Sequence, residues 1–417
     1  MDSVVLLHLL HTLAPRFEWQ LSALHVHHGL SPNADRWADF CSGLCIRLNI
    51  SMHIERVDIS PLRADHGIEA AARKLRHAAF ARQKCDFVAL AHHADDQAET
   101  LLLQLLRGAG IRGVAAMPVL SKVEGPMLKP VPPPATLRPL LDIPRSVLAE
   151  YAQQHRLHWV EDESNANEDY PRNFLRHRLL PLLEQRFSAY RDTLARSAQH
   201  FAEAGGLLDE LALQDMQDPG DAAALDVASL RALPHARAKN LLRYFLHKQL
   251  APMPHAAQLD DMLRQLCDAR GDAAVCVEFG RRQLRRYQDK AYVTGILGQF
   301  DPDLVLPWRG EAELRWPALD RVIAFSHVQG SGISLGKLQR EPVTLRLRCG
   351  GESLRPSAAA ATRSLKNLFQ QHHVPPWQRE RLPLLYCGDD LVCAVGVAIH
   401  ADFQAGPGEA GVLVSFG

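Results

Sequence analysis

The chain lacks the marks of a membrane, secreted or zinc-stapled protein. No apolar run approaches the 18 residues of a membrane span. The short apolar stretch at residues 4–10 follows Asp2 and no basic segment, so it does not read as a signal peptide. Eight cysteines are scattered through 417 residues without one CxxC, which argues against a disulfide framework or zinc site and for reduced thiols in a cytosol. Cys41 and Cys45, with three residues between them, read as buried neighbours on a helix. Neither sign of charge is in excess: Lys and Arg number 47, as do Asp and Glu. That excludes a globally basic nucleic-acid binder but leaves room for local basic patches. With 47% hydrophobic and 23% charged residues, the composition is that of an ordinary globular protein of two or three domains.

What is present is an alternation of short apolar runs with helical patterns. Residues 2–10 read as the start of a buried helix capped by Asp2 or Ser3. Strands are expected at residues 21–26, 51–57 and 87–91, and helices at 33–48, 67–83, 99–107 and 144–157. Strands alternating with helices of this length predict βαβ units on a parallel sheet. A turn-rich stretch at 125–134 interrupts the pattern, a helical region opens at Arg172 and breaks near Pro181, and residues 218–221 form a linker. Further helices at 230–248 and 255–266, and strands at 274–278 and 283–287, suggest a small middle domain.

Ionisable residues collect where these strands end. His92 to Glu99 lie between the third strand and its helix, and His25, His27, His28 and Arg73 occupy comparable places. In open α/β sheets ligands bind at that carboxyl end. Each piece also has a plainer reading. Asp96 and Glu99 fit a capping box with Asp96 as N-cap, and Glu69 and Arg73 fit a surface ion pair. An imidazole and carboxylate cluster can bind zinc, but no pair has HExxH spacing.

Taken in order, Asp2-Ser3, HVHHGL at 25–30, GIEAAAR at 67–73, HHADDQAET at 92–100, RGAG at 107–110, EDESN at 161–165 and RNFLR at 172–176 resemble the tRNA(Ile)-lysidine synthetase family of PP-loop ATPases. In the tail, LRCGGESLRP, LKNLFQQHHVPPWQR and LPLLYCGDDLVCAVG are similar to that family's C-terminal domain. The resemblance implies an α/β fold: a doubly wound parallel sheet of the adenine nucleotide alpha-hydrolase type at 1–215, a mainly helical middle domain at 216–330, and a small α+β domain at 331–417. It implies that ATP adenylates the C2 oxygen of the wobble cytidine in an isoleucine tRNA with a CAU anticodon. The ε-amine of free L-lysine then displaces AMP. It further implies Asp96, Glu99 and Arg73 as catalytic residues. Asp2, Ser3, His27, Arg73, Gly108 and Gly110 would bind the nucleotide, and Asp2 would bind Mg2+. Arg172, Asn173, Arg176, Lys366 and Arg379 would contact tRNA. Other basic runs, among them Arg281-Arg282 and Arg285-Arg286, are further candidates. The resemblance places the protein in the cytoplasm without a membrane and leaves room for a homodimer. A related tRNA thiolase and a non-catalytic tRNA binder are the alternative functions; thiolases that use clusters or persulfides need paired cysteines, and this chain has no CxxC.

One departure stands out. The family's phosphate loop reads SGGxDS after a buried strand, and Met1-Asp2-Ser3 falls on its last three positions. The expectation is therefore that Met1 is an internal methionine. The strand and glycines would lie upstream, and the chain as written would bind ATP poorly.

Overall fold

The computed structural model describes residues 1–60, 68–121, 134–216, 223–270, 273, 275–296 and 298–416. The expected linker at 218–221 and all but Pro134 of the turn-rich stretch lie outside them. The chain forms two compact units, Met1–Asp215 with Lys248–Leu250, and Met216–His247 with Ala251–Gly417.

The first unit begins with helix α1 (Asp2–Phe17), whose N-cap is Met1 with no side-chain cap, in place of the expected Asp2 or Ser3. Strand β1 (Ser22–His27), helix α2 (Ala34–Arg47) and strand β2 (Ser51–Arg56) then form a βαβ unit, the strands parallel from Ser22↔Ser51 to His27↔Arg56. Helix α3 (Ile68–Phe80) follows, then β3 (Phe87–Ala89), α4 (Ala94–Leu106) and the short α5 (Ile111–Val114). Strand β5 (Ala135–Leu137) lies parallel to β3, and β4 (Leu120–Ser121) pairs antiparallel with β5. Helix α6 (Arg145–Gln154) packs on α1 through Val5, Leu6, Leu140, Leu148 and Ala152, all buried.

A second layer covers the other face of α4. Helix α7 (Pro171–Phe174), a π-helical turn (Leu175–Leu179) and α8 (Leu180–Arg186) run into one another, and α9 (Tyr190–Asp215) follows. Ala98 packs with Leu180 and Tyr190, and Leu101 with Val114 and Ala198. The break falls at residues 187–189 rather than at Pro181. Pro181 is the second residue of α8, where a missing N–H is readily tolerated.

The second unit starts with β6 (Ala224–Asp226), α10 (Val227–Ala232), α11 (His235–Lys248) and α12 (Ala256–Asp268). The two expected strands, β7 (Cys276–Phe279) and β8 (Arg282–Tyr287), belong to an antiparallel sheet of order β6-β9-β8-β7 completed by β9 (Lys290–Gly295). The middle segment therefore contains more sheet than the sequence suggests. Beyond it, β10 (Val305–Trp308), β11 (Glu313–Trp316), β12 (Arg321–Gln329), β13 (Ile333–Ser334) and the α13 turn (Leu335–Leu338) lead into β14 (Val343–Arg346). The remaining elements are β15 (Ser353–Leu354), β16 (Arg363–Ser364), α14 (Leu365–Gln371), α15 (Pro376–Arg379), β17 (Leu384–Cys387), β18 (Asp390–Ala394), β19 (Ala398–Ile399) and β20 (Ala410–Phe416). They make sheets of order β10-β14-β17-β18-β19 and β11-β12-β20-β13 that share a core around Trp316, Leu345, Leu385, Val392 and Val412. At Gly411 the backbone approach is so close that an added Cβ would lie 2.0 Å from the carbonyl oxygen of Ser331. Among the described residues, no helix is long and apolar enough to cross a membrane.

Candidate active site

The first turn of α4 sets the geometry. Its N-cap is His93, whose Nδ1 accepts from the Asp96 amide at 3.4 Å while Asp96 Oδ2 accepts from the His93 amide at 3.1 Å. The capping box is therefore His93 with Asp96, not Asp96 with Glu99. An imidazole nitrogen with a free lone pair serves in place of the usual hydroxyl or carboxylate. That frees Glu99 for another task. It is 0% exposed and accepts from Arg172 Nε at 2.6 Å and from Arg176 Nε and Nη2 at 2.7 and 3.0 Å. Arg172 Nη2 also reaches Asp96 Oδ1 at 2.9 Å. Two guanidinium forks thus hold two carboxylates, an arrangement of charge-assisted bonds that fixes all four side chains. Arg172 and Arg176, expected on the tRNA, stand inside the site. Asn173 between them is buried, and both bonds of its amide nitrogen go to the Ser164 and Asn167 carbonyls, at 2.9 and 2.8 Å. It secures the loop after Glu163 and has no donor left for tRNA.

Asp95 ties helices together. It accepts from the Arg145 amide at 2.9 Å and from Arg191 Nε at 2.6 Å. Burial pushes its pKa up, but these two donors win and hold it below the usual carboxylate value. Asp2, at the start of α1, has Oδ2 4.0 Å from His93 Nε2 and Oδ1 3.8 Å from Arg145 Nε; Oδ1 is buried with no hydrogen bond. The N-termini of α1 and α4 therefore meet, and the positive ends of two helices face one place. Ser3, exposed in the first turn of α1, belongs to the same end.

His92 faces the other way. Its Nδ1 accepts from Arg138 Nε at 3.2 Å, and Arg138 is only 7% exposed, anchored through Nη1 to Pro118 O at 2.8 Å and Ser121 Oγ at 3.0 Å. Burial first, then the charges of Arg138, Arg172, Arg73 and Arg76, push the His92 pKa down to about 3. Arg73 is exposed and lies near His92, His77 and Arg138. His28 is close enough to Arg76 to feel its charge. His92 and Arg138 follow β3 and β5, so both lie beyond the carboxyl ends of adjacent parallel strands. Arg138 was missed in the sequence because its three-residue strand has no periodicity. The only signal was an arginine directly after a short apolar run.

His27 is buried, with Nε2 3.2 Å from Asp35 Oδ1 at an angle that makes no hydrogen bond. The glycines expected at the nucleotide have other work. Gly108, at φ +67°, is the left-handed residue that ends α4, and the Ala109 amide closes on Gln104 O at 2.9 Å. Gly110 is the N-cap of α5. Gly108 lies the length of α4 from His93, roughly 20 Å along the axis. In the second unit Lys366 is exposed, whereas Arg379 is engaged with Val374 O at 2.8 Å and the Tyr287 hydroxyl at 2.6 Å. Arg286 is 4% exposed and bonds the Leu266 and Ala269 carbonyls at the end of α12, so it is structural. Among the described residues there is no cluster of three or more His, Cys, Asp or Glu able to hold a metal.

Three family descriptions match the chain: a PP-loop domain over residues 1–183, a TilS substrate binding domain over 225–292 and a TilS substrate C-terminal domain over 343–416. A tRNA(Ile)-lysidine synthase of Nitrosomonas europaea is 42% identical over 417 residues, which cover 100% of this chain and 89% of that protein. The chain belongs to the tRNA(Ile)-lysidine synthase family. Synthases of Aromatoleum aromaticum (42% identity, 99% of this chain and 94% of that protein) and Coxiella burnetii (37%, 97% and 88%) agree. Within a lysidine synthase, the α1–α4 meeting point and the acid–arginine cluster belong to the PP-loop domain, as the α/β fold expected from the sequence requires.

Proposed function

We propose that this protein joins free L-lysine to C2 of the wobble cytidine in an isoleucine tRNA with a CAU anticodon, at the expense of ATP. The observation that carries the reading is the meeting of the N-termini of α1 and α4 beside the Asp96–Glu99–Arg172–Arg176 cluster. The helix ends suit phosphates, and the cluster supplies both signs of charge next to them. The cytidine C2 oxygen attacks the α-phosphorus and pyrophosphate leaves. The lysine ε-amine then attacks C2, and AMP departs with that oxygen.

The residues divide the work. Arg73, exposed at the mouth, brings a permanent positive charge to phosphate. Asp96, whose side chain is 12% exposed, is the acid that meets the lysine amine. Glu99 keeps Arg172 and Arg176 in place, because it is 0% exposed and both of its oxygens are bonded to them. At a pKa near ~10.4 the amine is neutral only about one part in 10³ to 10⁴ at pH 7, a handicap of roughly 4–5 kcal/mol. A proton acceptor at Asp96 lowers it. The buried, unbonded Oδ1 of Asp2 is the kind of hard oxygen that Mg2+ takes. Asp2 would hold the ion, which neutralises charge as pyrophosphate leaves.

The reading assigns residues 1–215 to catalysis, and 216–330 and 331–417 to holding the tRNA, in the cytoplasm where tRNA works. The test is incubation of the purified chain with ATP, Mg2+, labelled lysine and a CAU-anticodon isoleucine tRNA transcript. Label should enter the tRNA and pyrophosphate should appear. Pyrophosphate release without label in the tRNA would sink the assignment.

A further inference from the structure

The second unit is built in two halves that do not share a core. Strands β6–β9 form one sheet and β10–β20 form others, and the apolar clusters around Trp316 and Phe369 take in no described side chain from β6–β9. What joins the halves is a seam of rings and guanidiniums. Trp377 of α15 meets Tyr287 of β8 and Tyr292 of β9 edge to face, with ring centroids 6.3 and 5.8 Å apart. Arg285 lies over the Trp377 indole at 5.2 Å, and Arg379 over Tyr287 at 5.5 Å. Arg379 Nη2 also donates to the Tyr287 hydroxyl at 2.6 Å, while its Nε donates to Val374 O. At the β8–β9 turn, where Gln288 and Asp289 are both left-handed, Gln288 Oε1 accepts from His373 Nδ1 at 2.6 Å. Arg381 pins the connecting segment, with Nη2 on Gly298 O at 2.7 Å and Nη1 on Ala318 O at 3.1 Å.

We propose that this seam fixes the spacing of the two tRNA-holding halves, with Trp377 and Tyr287 as positioning residues and not as RNA contacts. The proposal rests on the reading that residues 216–330 and 331–417 hold the tRNA. When two sites on one chain grip one long ligand, the second contact forms at an effective concentration set by what connects the sites. A connection that already holds them at the right spacing raises it, because less freedom is lost on binding. The contacts suit that task. Edge-to-face rings and hydrogen bonds have preferred directions, so they set an angle between the halves where a purely apolar contact would let them slide. Arg379 and Arg381 are turned to oxygens of the protein, which occupies donors that a phosphate would otherwise take. Trp377 acts through its ring alone: Nε1 is buried and has no hydrogen-bond partner, so a phenyl ring can stand in for the indole without stranding a polar group.

The test uses the full chain and a CAU-anticodon isoleucine tRNA transcript. Trp377→Ala should raise KM for the tRNA about 10-fold, with kcat and the KM values for ATP and lysine unmoved. Trp377→Phe should recover most of that loss. Tyr287→Phe removes only the hydroxyl that Arg379 bonds and should raise KM for the tRNA about 3-fold; it decides the matter if Trp377→Ala fails to fold. Filter binding of the transcript over a salt series should show weaker binding with the wild-type slope, because no phosphate contact is lost. Three results would overturn the proposal: wild-type tRNA affinity in the variants, a shallower salt slope, which would make the seam an RNA surface, or a fall in kcat that Trp377→Phe does not restore, which would make it a fold contact only. If the wild-type chain binds the transcript but transfers no lysine, the reaction assigned above fails instead, and the binding series still decides the role of the seam.

Discussion

Replacing Glu99 by Gln removes one negative charge from a place that is 0% exposed and leaves two guanidiniums facing Asp96 alone. In the structure its oxygens take bonds of 2.6, 2.7 and 3.0 Å from the arginines. A glutamine offers one acceptor and turns an NH2 donor toward groups that only donate. Breaking a buried ion pair from one side costs about 3–5 kcal/mol. For a unit of this size, each kcal/mol moves the melting temperature by about 2–4 °C, so the first unit should melt roughly 6–20 °C earlier. Asp96→Asn keeps the Glu99 charge and loses one close ion pair and part of a cap, for about 1–3 kcal/mol. The order of stability should therefore be wild type, then Asp96→Asn, then Glu99→Gln. In activity Asp96→Asn should be the variant that raises KM for lysine. The assay is thermal unfolding of the full chain followed by circular dichroism, paired with lysine transfer at saturating ATP. Adding Arg172→Gln to Glu99→Gln should restore part of the stability, because it removes an unmatched cation. The reasoning is refuted if Glu99→Gln melts within about 2 °C of wild type while losing lysine use, since Glu99 would then serve the substrate and not the arginines.

Gln97 clamps Met117 with Nε2 to O at 2.7 Å and N to Oε1 at 2.9 Å, so Gln97→Leu should cost about 2–5 kcal/mol by stranding both Met117 groups; a cost under about 1 kcal/mol in denaturant would contradict this. The first unit should also weaken in mild acid. His92 holds its proton less tightly than a free histidine, so its contribution is present above about pH 6.5 and is lost as pH falls toward 3; by pH 5 about 2 kcal/mol is gone, and His92→Gln should flatten that slope in a melting series. Asn173→Ala should loosen the 163–167 loop and cost about 1–3 kcal/mol, with tRNA affinity measured by filter binding unchanged; a tenfold weaker affinity with the loop intact would return Asn173 to the tRNA surface. Cys393, whose thiol burial pushes up to about 12, should resist iodoacetamide in the folded chain while exposed Cys85, Cys276 and Cys349 react; labelling of Cys393 at the rate of Cys85 would refute its burial.

The parts that could be read from the sequence were those with a local cause. The β1–α2–β2 and β3–α4 units announced themselves through period and length, and the acids at 95, 96 and 99 fell at the strand end where they were expected. What could not be read was pairing across distance. Nothing near Glu99 in the chain says that Arg172 and Arg176 will close on it, because that contact is set by how α7 packs against α4. Asp96 looked like an N-cap because carboxylates usually are, and only the backbone shows that His93 does that work from one turn earlier. Arg379 and Arg286 read as tRNA contacts, yet each bonds within the second unit. A basic residue's type does not reveal whether a carbonyl waits nearby.

The place of β20 in its sheet has a consequence for synthesis. It lies between β12 and β13, pairing with β12 from Ile323↔Phe416 to Gln329↔Ala410 and with β13 at Ile333↔Val412 and Ser334↔Gly411. When β12 leaves the ribosome, its central partner is still about 80 residues away, roughly 4–16 s at ordinary elongation rates. During that interval β12 and β13 expose open hydrogen-bonding edges with no neighbour to close them. The nascent second unit thus passes through a window in which another chain on the same messenger can supply the missing strand, and slow codons between β12 and β20 would lengthen it.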